Sequence, residues 1–274
     1  MTAKPSRATY YAASVATLLF GVRLRSLVGV AAMLLDRRRP CLIHLRRPKA
    51  RFLVRSLMDV WTVKEVCLDR DYERAGAPIQ PGWVVIDIGA GIGEFAIDAA
   101  LRHPGCAIHA FEPSPESFEM LCQNLRLNHL SNVRTHAVAV TGVSGQASLD
   151  VSSPEAARHH VAAGVTGPSS REVAAKTLAE VLHELDVPTC DLLKIDCEGG
   201  EYALLLAAGH ATLGRISRIC LEYHDGPWGT HDRLVAHLAA AGFEIRLTGN
   251  RAWEEIGFLY AWRPDLPGSV TEVA

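Results

Sequence analysis

The sequence contains no pair of cysteines at C-x-x-C spacing and no uncharged apolar stretch long enough to cross a bilayer. Its seven cysteines are odd in number and scattered, which favours reduced thiols in the cytoplasm over disulfides or a zinc site. The apolar runs Tyr10 to Val22 and Leu27 to Leu35 are each too short to span, and Arg23 and Arg25 between them oppose insertion. No small-residue cleavage site follows, so a secretory signal peptide is disfavoured.

Internal repeats and long low-complexity tracts are also lacking, and the composition is that of a globular protein. With 274 residues, one α/β domain of ordinary or slightly large size is expected. Residues 1–55 carry twelve Lys or Arg against one acid, Asp36, which leaves −13 on the remainder of a chain whose net charge is −2. The basic segment is therefore expected either to contact an anionic partner or to pack on the acidic remainder of the chain. An acidic core disfavours nucleic acid as the substrate.

The basic segment predicts amphipathic helices over residues 10–35 and a β-hairpin over residues 41–55. We expect the chain to have three parts, which are a basic N-terminal extension at 1–55, a main domain at 56–265 and a C-terminal tail at 266–274. Packing of the helices on the main domain is one expectation. Peripheral contact with an anionic membrane surface, helped by Arg37, Arg38 and Arg39, is the other.

Residues 84–95 read V-V-I-D-I-G-A-G-I-G-E-F, and the main domain is organised around them. The first five residues of this stretch form a short β-branched run, which suits a buried parallel strand. Glycines follow at alternate positions, Gly89, Gly91 and Gly93, before a helical pattern begins. A glycine turn lets the backbone approach a ligand closely, because glycine has no Cβ, and the helix end points free N–H groups at that ligand.

From this stretch onward, strand and helix patterns alternate regularly. The predicted strands are 84–88, 107–112, 133–140, 147–151, 191–196, 217–223, 244–247 and 257–262, and the predicted helices are 92–102, 115–128, 177–185, 201–208 and 230–241. Apolar strands in repeated β-α units imply an α/β fold with a mostly parallel sheet covered on both faces. Residues 152–170 are small, polar and irregular, which predicts a loop or lid.

An acid stands nineteen residues beyond Gly93, at Glu112, where the second predicted strand ends. In doubly wound folds an acid at this place binds the ribose of a nucleoside ligand, because a carboxylate offers two acceptor oxygens to two vicinal hydroxyls. A nucleoside cofactor is therefore predicted. In the dinucleotide pattern G-x-G-x-x-G the third glycine comes one residue later than Gly93 does here. The spacing disfavours an NAD-dependent dehydrogenase, which stays open as a competing interpretation.

The pattern D-x-G-x-G-x-G from Asp87 to Gly93 resembles the first motif of class I S-adenosylmethionine-dependent methyltransferases. Two further blocks, D-L-L-K-I-D-C-E-G-G-E at 191–201 and I-C-L-E-Y-H at 219–224, resemble the FkbM-type family of these enzymes. The same family pattern is met by F-E-P-S at 111–114, N-L-R-L-N at 124–128, T-L-A-E-V-L at 177–182 and M-D-V-W-T-V-K-E-V at 58–66. One departure is Gly91, where the family commonly has asparagine.

The resemblance, which spans roughly residues 51–262, implies a Rossmann-like class I methyltransferase sheet. This sheet is mostly parallel with an antiparallel final strand and helices on both faces, and the N-terminal helices and hairpin precede it. The implied cofactor is S-adenosyl-L-methionine, with Asp87 orienting the loop and the ammonium group. The implied reaction is O-methylation of a hydroxyl on a sugar, glycan or secondary metabolite. The expected cofactor-binding residues are Asp87, Gly89, Gly91, Gly93, Glu112 and Asp196.

Methyl transfer to a hydroxyl needs the acceptor oxygen held in line and a base within about 2.6–3.2 Å to remove its proton. Ligands of open α/β sheets sit at the carboxyl ends of strands. Asp196 and Glu198 follow one such strand, and Glu222 and His224 end the next. We predict His224, Asp196 and Glu222 as the catalytic residues. His224 is the expected general base, because a free imidazole has the pKa nearest neutrality.

Several alternatives stay open around these strand ends. The same side chains could hold a magnesium ion, although no metal is predicted. Lys194 shares a strand face with Asp196 and could pair with an acid such as Glu222 across neighbouring strands. A methyltransferase-like binding protein without activity is the third interpretation of the whole chain.

Other side chains admit a functional and a structural explanation. His159 and His160 in the predicted loop could touch substrate, although a solvated loop explains them as well. By resemblance Asp59 and Tyr72 lie close to the cofactor entrance, but core packing explains Tyr72 equally well. Three tryptophans could stack on a sugar ring, and as core or lid residues they need no such role. They are Trp61, Trp228 and Trp253.

Overall fold

A seven-stranded sheet forms the centre of the protein, in a computed structural model that describes residues 7–36, 40–76, 78–153, 160–161, 170–250 and 252–264. The strands are β1 (Cys41–His44), β2 (Arg51–Val54), β3 (Val84–Ile88), β4 (Ala107–Phe111), β5 (Val133–His136), β6 (Ala139–Val140), β7 (Gly145–Asp150), β8 (His160–Val161), β9 (Ser170–Lys176), β10 (Leu192–Ile195), β11 (Arg218–His224), β12 (Glu244–Gly249) and β13 (Ile256–Trp262). The helices are α1 (Arg7–Gly21), α2 (Leu24–Leu35), α3 (Leu57–Val63), α4 (Asp71–Ala75), α5 (Glu94–Arg102), α6 (Pro115–Leu127), α7 (Leu178–Glu184), α8 (Glu201–Ala207), α9 (His210–Leu213) and α10 (His231–Ala240). A π-helical segment, Lys64–Asp69, joins α3 to α4.

The main sheet has the order β12-β13-β11-β10-β3-β4-β5. The five strands from β11 to β5 are parallel to one another, and the final strand β13 is antiparallel to both of its neighbours. The predicted fold class, a mostly parallel α/β sheet with an antiparallel final strand, is confirmed.

Two apolar cores cover the two faces of this sheet. Val85 of β3 belongs to one core, with α5 and α6 residues such as Ile97 and Leu121. Ile86 and Ile88 belong to the other core, with residues of α7, α8 and α10. Successive residues of a strand point to opposite faces, so a strand that is apolar throughout is buried on both sides. Asp87 lies on the face of Val85, inside the first core.

A second, four-stranded sheet of order β6-β9-β7-β8 stands beside the main one. The prediction of one continuous strand over 133–140 was wrong, because the chain leaves the main sheet after His136 and Ala139 pairs with Ala175 of β9 instead. Within the predicted lid at 152–170 the structure describes residues 152, 153, 160, 161 and 170, of which His160–Val161 forms β8 and Ser170 begins β9. His159 lies outside the described residues, as does the side chain of His160.

The N-terminal helices and hairpin have the elements that the sequence predicts, and they pack on the main domain. Val22, Met33 and Phe52 share one core with Val85 and Ala96. The phenol of Tyr10 on α1 donates a 2.7 Å hydrogen bond to Glu65 in the π-helical segment. One continuous core therefore contains residues from both sides of position 55. The domain boundary at residue 55 stays a prediction.

The N-L-R-L-N stretch explains how the hairpin is attached. Asn128, which follows α6, and Asn124 on α6 accept hydrogen bonds from the backbone N–H groups of Arg51 and Leu53, at 2.8 and 2.7 Å. The amide of Asn124 also donates to the carbonyl of Ile92 in the glycine turn, at 3.0 Å. Two side-chain amides thus satisfy the edge of β2 in place of a neighbouring strand, and one of them also fixes the glycine turn.

Candidate active site

The glycine turn after β3 packs directly against the end of β10. Gly89 has φ +73°, and a Cβ at this position would lie 1.7 Å from the carbonyl oxygen of Asp196. No side chain fits there, so the turn and the segment after β10 approach each other as bare backbone. The two motifs that the sequence places more than a hundred residues apart therefore form one wall.

Asp87 and Lys194 are buried on the core side of this wall and support it. They are direct cross-strand partners in the register of β3 and β10, and the Lys194 ammonium lies 2.9 Å from the Asp87 carboxylate. The same ammonium donates a 2.9 Å hydrogen bond to the carbonyl of Gly89. Both side chains are buried. The prediction that Lys194 pairs with an acid across neighbouring strands is confirmed, but the acid is Asp87 and not Glu222, because the register places Cys220 opposite Lys194 on β11.

Glu112 follows β4 and is buried beside the turn. Its two carboxylate oxygens accept hydrogen bonds of 2.8 Å from the backbone N–H groups of Gly91 and Ser114. Burial raises the pKa of Glu112 to about 7, although these two N–H groups oppose the shift. Each carboxylate oxygen has two acceptor directions, so one per oxygen stays available to a ligand.

A cleft of about 810 Å³, its open mouth included, runs along this wall. Gly89, Gly91, Glu112 and Asp196 line it, whereas Asp87 and Gly93 are not among the lining residues: Asp87 is buried, and Gly93 packs against Leu121 and Ile97. One side of the cleft is apolar and comes from the segment after β4 and from the second sheet, with Phe111, Pro113, Val138, Val140, Leu149 and Val161.

The three predicted catalytic side chains meet beside the cleft. In the register of β10 and β11 Ile195 pairs with Leu221, so the next residues, Asp196 and Glu222, are neighbours. Carboxylate oxygens of these two and a ring nitrogen of His224 all lie within 4.8 Å of one another. Such a group has the donor atoms to hold a divalent cation. Burial raises the pKa of Glu222 well above its ordinary value, and the charge of Asp196 adds to the shift.

His224 is enclosed by carboxylates. Glu201, fully buried at the start of α8, accepts from the backbone N–H of His224 at 2.8 Å and lies 3.2 Å from its Nδ1. Nε2 lies 3.8 Å from the Glu198 carboxylate. Burial acts to lower the pKa of His224, but the hydrogen bond to Glu201 and the charges around the ring outweigh it and raise the pKa to about 10. The imidazole is therefore protonated near neutral pH.

Tyr72 joins the site from α4. Its phenol donates a 2.7 Å hydrogen bond to Oδ2 of Asp196, while its ring packs edge-on against Phe95 and Phe258. Core packing therefore explains the ring of Tyr72, and its place close to the cofactor entrance stays a prediction. Asp59, by contrast, caps α3 with Ser56 and lies 3.2 Å from the Arg55 side chain, so it has a structural role.

Sequence reasoning gave no role to Glu201. Its signal is present in the last letter of K-I-D-C-E-G-G-E, where an acid opens a helix directly after a strand end. Of the three tryptophans, Trp61 packs on Tyr10 and Tyr11 and so anchors α1. Trp228 covers Gly199 beside the site and stays partly exposed.

Comparison with known proteins agrees with this geometry. Residues 87–245 match the methyltransferase FkbM domain, which is more than half of the chain. The chain is 30% identical to 31-O-demethyl-FK506 methyltransferase FkbM of Streptomyces tacrolimicus, over 74% of this chain and 85% of the relative. It is 26% identical to hexuronic acid methyltransferase AglP of Haloferax volcanii, over 69% and 76%.

Among solved structures, precorrin-6y C5,15-methyltransferase of Geobacter metallireducens is 17% identical, with a TM-score of 0.45 over 71% of this chain and 86% of that one. A likeness at this level carries no argument about activity. The family match and the curated relatives do carry one, and they favour methyl transfer over the dehydrogenase interpretation. The chain belongs to the FkbM-type methyltransferase family and is a methyltransferase.

Proposed function

We propose that the protein is an S-adenosylmethionine-dependent O-methyltransferase that acts on a hydroxyl of a sugar, glycan or secondary metabolite. The observation that carries the proposal is the single cleft wall formed by the glycine turn, Glu112 and Asp196 in a member of this family. Two relatives support the acceptor class, since one is named for the 31-O position of FK506 and the other for a hexuronic acid.

The residues of the cleft fit a nucleoside cofactor. Glu112 keeps one acceptor direction on each oxygen for the two ribose hydroxyls, and the apolar side with Phe111 and Val138 suits a flat base. Gly89 and Gly91 present backbone to the remainder of the ligand. Asp87 acts on the glycine turn indirectly, because the Lys194 ammonium contacts both the Asp87 carboxylate and the carbonyl of Gly89. When bound, S-adenosylmethionine supplies an electrophilic methyl group on sulfur.

Asp196 is the proton acceptor in this proposal, because among Asp196, Glu222 and His224 it is the residue that lines the cleft. Burial and the charge of Asp196 raise the pKa of Glu222, which favours the protonated form of Glu222 over a role as the proton acceptor. His224 was the expected general base, but an imidazolium has no free lone pair to accept a second proton. We assign to His224 the role of a positive charge and hydrogen-bond donor that orients the carboxylates.

We propose that the enzyme works in the cytoplasm, in contact with a membrane surface through its basic N-terminal segment. All seven cysteines are free thiols, which supports a reducing compartment. No helix in the described part of the chain is both long and apolar enough to span a bilayer.

Calorimetry with S-adenosylmethionine, S-adenosylhomocysteine and NAD tests the cofactor. We expect the first two to bind, and binding of NAD alone would overturn the proposal. Transfer of labelled methyl to hexuronic acids and to 31-O-demethyl-FK506, the acceptors that the names of two relatives give, then tests the acceptor class. Cofactor binding with no transfer to any hydroxyl would favour the inactive binding protein instead.

The Asp196→Asn variant isolates the proton acceptor. We expect it to bind the acceptor but to lose at least a hundredfold in kcat, since a positioned base contributes about 10²–10⁴-fold. Asp98→Asn is a matched control, because Asp98 pairs with Arg102 on α5 away from the cluster.

A further inference from the structure

The helices α1 and α2 leave an unusual amount of apolar surface uncovered. Fourteen large hydrophobic side chains of the described residues are exposed, and eight of them lie between residues 11 and 35. These eight are Tyr11, Val15, Leu19, Phe20, Leu24, Val28, Leu34 and Leu35. An apolar concentration of this kind on a folded surface marks an interaction site.

The exposed residues form stripes on helices that are held firmly in place. On α2, Leu24, Val28 and Leu35 follow helical spacing on one face, opposite the buried Ser26 and Met33. On α1, the exposed stripe at 11, 15 and 19 follows the same four-residue spacing. Leu24, Phe20 and Leu35 are 72%, 81% and 92% exposed. Each stripe faces away from a buried side chain of its own helix, Tyr10 on α1 and Met33 on α2, so the stripes are preformed and do not result from a loosely attached helix.

A basic cleft adjoins this face. It measures about 570 Å³, its open mouth included, and lies between the start of α2 and the hairpin. Its charged lining consists of Arg23, Arg25, Lys49 and Arg51, with His44 beside them. Among the described residues none of these four cations forms a salt bridge with a carboxylate within 4.0 Å. Burial and then the charges of Arg25, Arg23 and Arg51 lower the pKa of His44, as expected in a positive field.

We propose that α1, α2 and the basic cleft together dock the enzyme on an anionic membrane surface, with the stripes in the acyl boundary and a lipid phosphate in the cleft. Leu24 lies between Arg23 and Arg25 in sequence, so an apolar anchor and two cations meet the interface together. An anionic lipid offers a phosphate and a hydrocarbon chain to one surface, which matches a cleft lined by four cations beside exposed apolar side chains.

This inference deepens the proposed membrane contact and does not depend on methyl transfer. Vesicle sedimentation tests it, with phosphatidylcholine alone and with an equimolar mixture of phosphatidylcholine and phosphatidylglycerol. We expect binding to the mixed vesicles that weakens with added salt, and little binding to phosphatidylcholine. Absence of binding to the mixed vesicles at low salt would overturn the proposal, whatever the result of the cofactor assays.

Two pairs of variants separate the apolar and the charged contributions. Leu24→Ser with Leu35→Ser, and Arg25→Glu with Lys49→Glu, should each weaken vesicle binding by about tenfold or more. Leu247→Ser and Arg233→Glu are the matched controls, since both residues are exposed on β12 and α10. Cooperative unfolding of every variant in urea reports that the fold is intact. Equal loss in the control variants would contradict the assigned surface.

Two other occupants of the surface are outcomes of the same experiment. If the protein binds inorganic phosphate in calorimetry but does not bind the mixed vesicles, the cleft recognises free phosphate and the lipid assignment fails. Light scattering of the wild-type protein decides on self-association. A dimer that the Leu24→Ser and Leu35→Ser substitutions convert to a monomer would assign the stripes to a second copy and overturn the proposal.

Discussion

The phenol of Tyr72 donates a hydrogen bond of 2.7 Å to Asp196, and so joins a short helix before the glycine turn to the end of β10. A hydrogen bond to a charged group contributes about 1.5–3 kcal/mol. We therefore expect Tyr72→Phe to lower kcat by about tenfold or more, since the Asp196 carboxylate loses its fixed orientation. Steady-state kinetics with a methyl acceptor measures this change.

Tyr10→Phe is the matched control for this prediction. Tyr10 also donates a 2.7 Å hydrogen bond to a carboxylate, that of Glu65, but it does so on α1. Its loss should reduce stability and leave kcat unchanged. If Tyr72→Phe also leaves kcat unchanged, Tyr72 acts only through packing on its aromatic neighbours.

The strands of the main sheet could be predicted from the sequence because their pattern is local. Val84–Ile88 is apolar and β-branched, and a strand buried on both faces needs such residues wherever its neighbours lie. The second sheet could not be predicted in the same way. Strand β9 reads S-R-E-V-A-A-K, and only its pairing with Gly145–Asp150 makes it a strand.

The site was predictable as a set of strand ends but not as a set of protonation states. That Asp196, Glu222 and His224 meet follows from parallel strands ending at one edge. The pKa of His224 depends on its contact with Glu201. The sequence shows that Glu201 follows the β10 strand end, but it does not show that the Glu201 side chain points at His224. Register likewise decides that Lys194 faces Asp87, and no local pattern encodes register between strands that are distant in sequence.

Removing the Lys194 ammonium should destabilise the protein and weaken the cofactor site together. Loss of one partner from a buried ion pair costs about 3–5 kcal/mol, so Lys194→Met should lower the free energy of unfolding by this order in urea titrations. Cofactor affinity should also fall, because Gly89 loses the donor that fixes its carbonyl.

Lys64→Met separates these two effects. Lys64 is a second fully buried lysine, paired with Asp69 at 2.7 Å in the π-helical segment. We expect a comparable loss of stability with unchanged cofactor affinity in the fraction that is folded. If Lys194→Met binds the cofactor as tightly as the wild type, the contact with Gly89 does not shape the cleft.

Glu112→Gln should weaken S-adenosylmethionine binding by about tenfold, because the amide nitrogen cannot accept a hydrogen bond from the backbone or from a ribose hydroxyl. The Glu112 pKa of about 7 adds a pH dependence. The carboxylate form is the acceptor, so wild-type affinity should rise as pH increases through about 7 and the variant should lack this rise. Calorimetry across that range measures both. Glu116→Gln, at an exposed neighbour on α6, should behave as wild type.

Chelation tests the group of Asp196, Glu222 and His224 as a metal site. We expect dialysis against EDTA to leave activity unchanged, since both ring nitrogens of His224 already face carboxylates, Nδ1 that of Glu201 at 3.2 Å and Nε2 that of Glu198 at 3.8 Å. Loss of activity that Mg²⁺ or Mn²⁺ restores would contradict this expectation and would assign the group to a cation.

The pairing of His224 with Glu201 should appear in the pH dependence of stability. The pKa of His224 is raised from 6.5 to about 10 in the folded protein. A histidine whose folded pKa is raised contributes stability that is fully present below about 6.5 and is lost as pH rises toward 10. Urea titrations between these limits should therefore show a falling free energy of unfolding. His224→Gln should remove most of this slope.

Glu201→Gln provides the complementary measurement, because it keeps His224 and removes the charge that holds its proton. The pKa of His224, followed by the NMR shift of its ring protons, should then fall toward its ordinary value, and the imidazole should become a free base near neutral pH. His231→Gln is the control, since His231 contacts Asp225 at 2.7 Å on the neighbouring helix. A wild-type His224 that titrates near 6.5 would restore it as the general base and would move the proton acceptor from Asp196 to the ring.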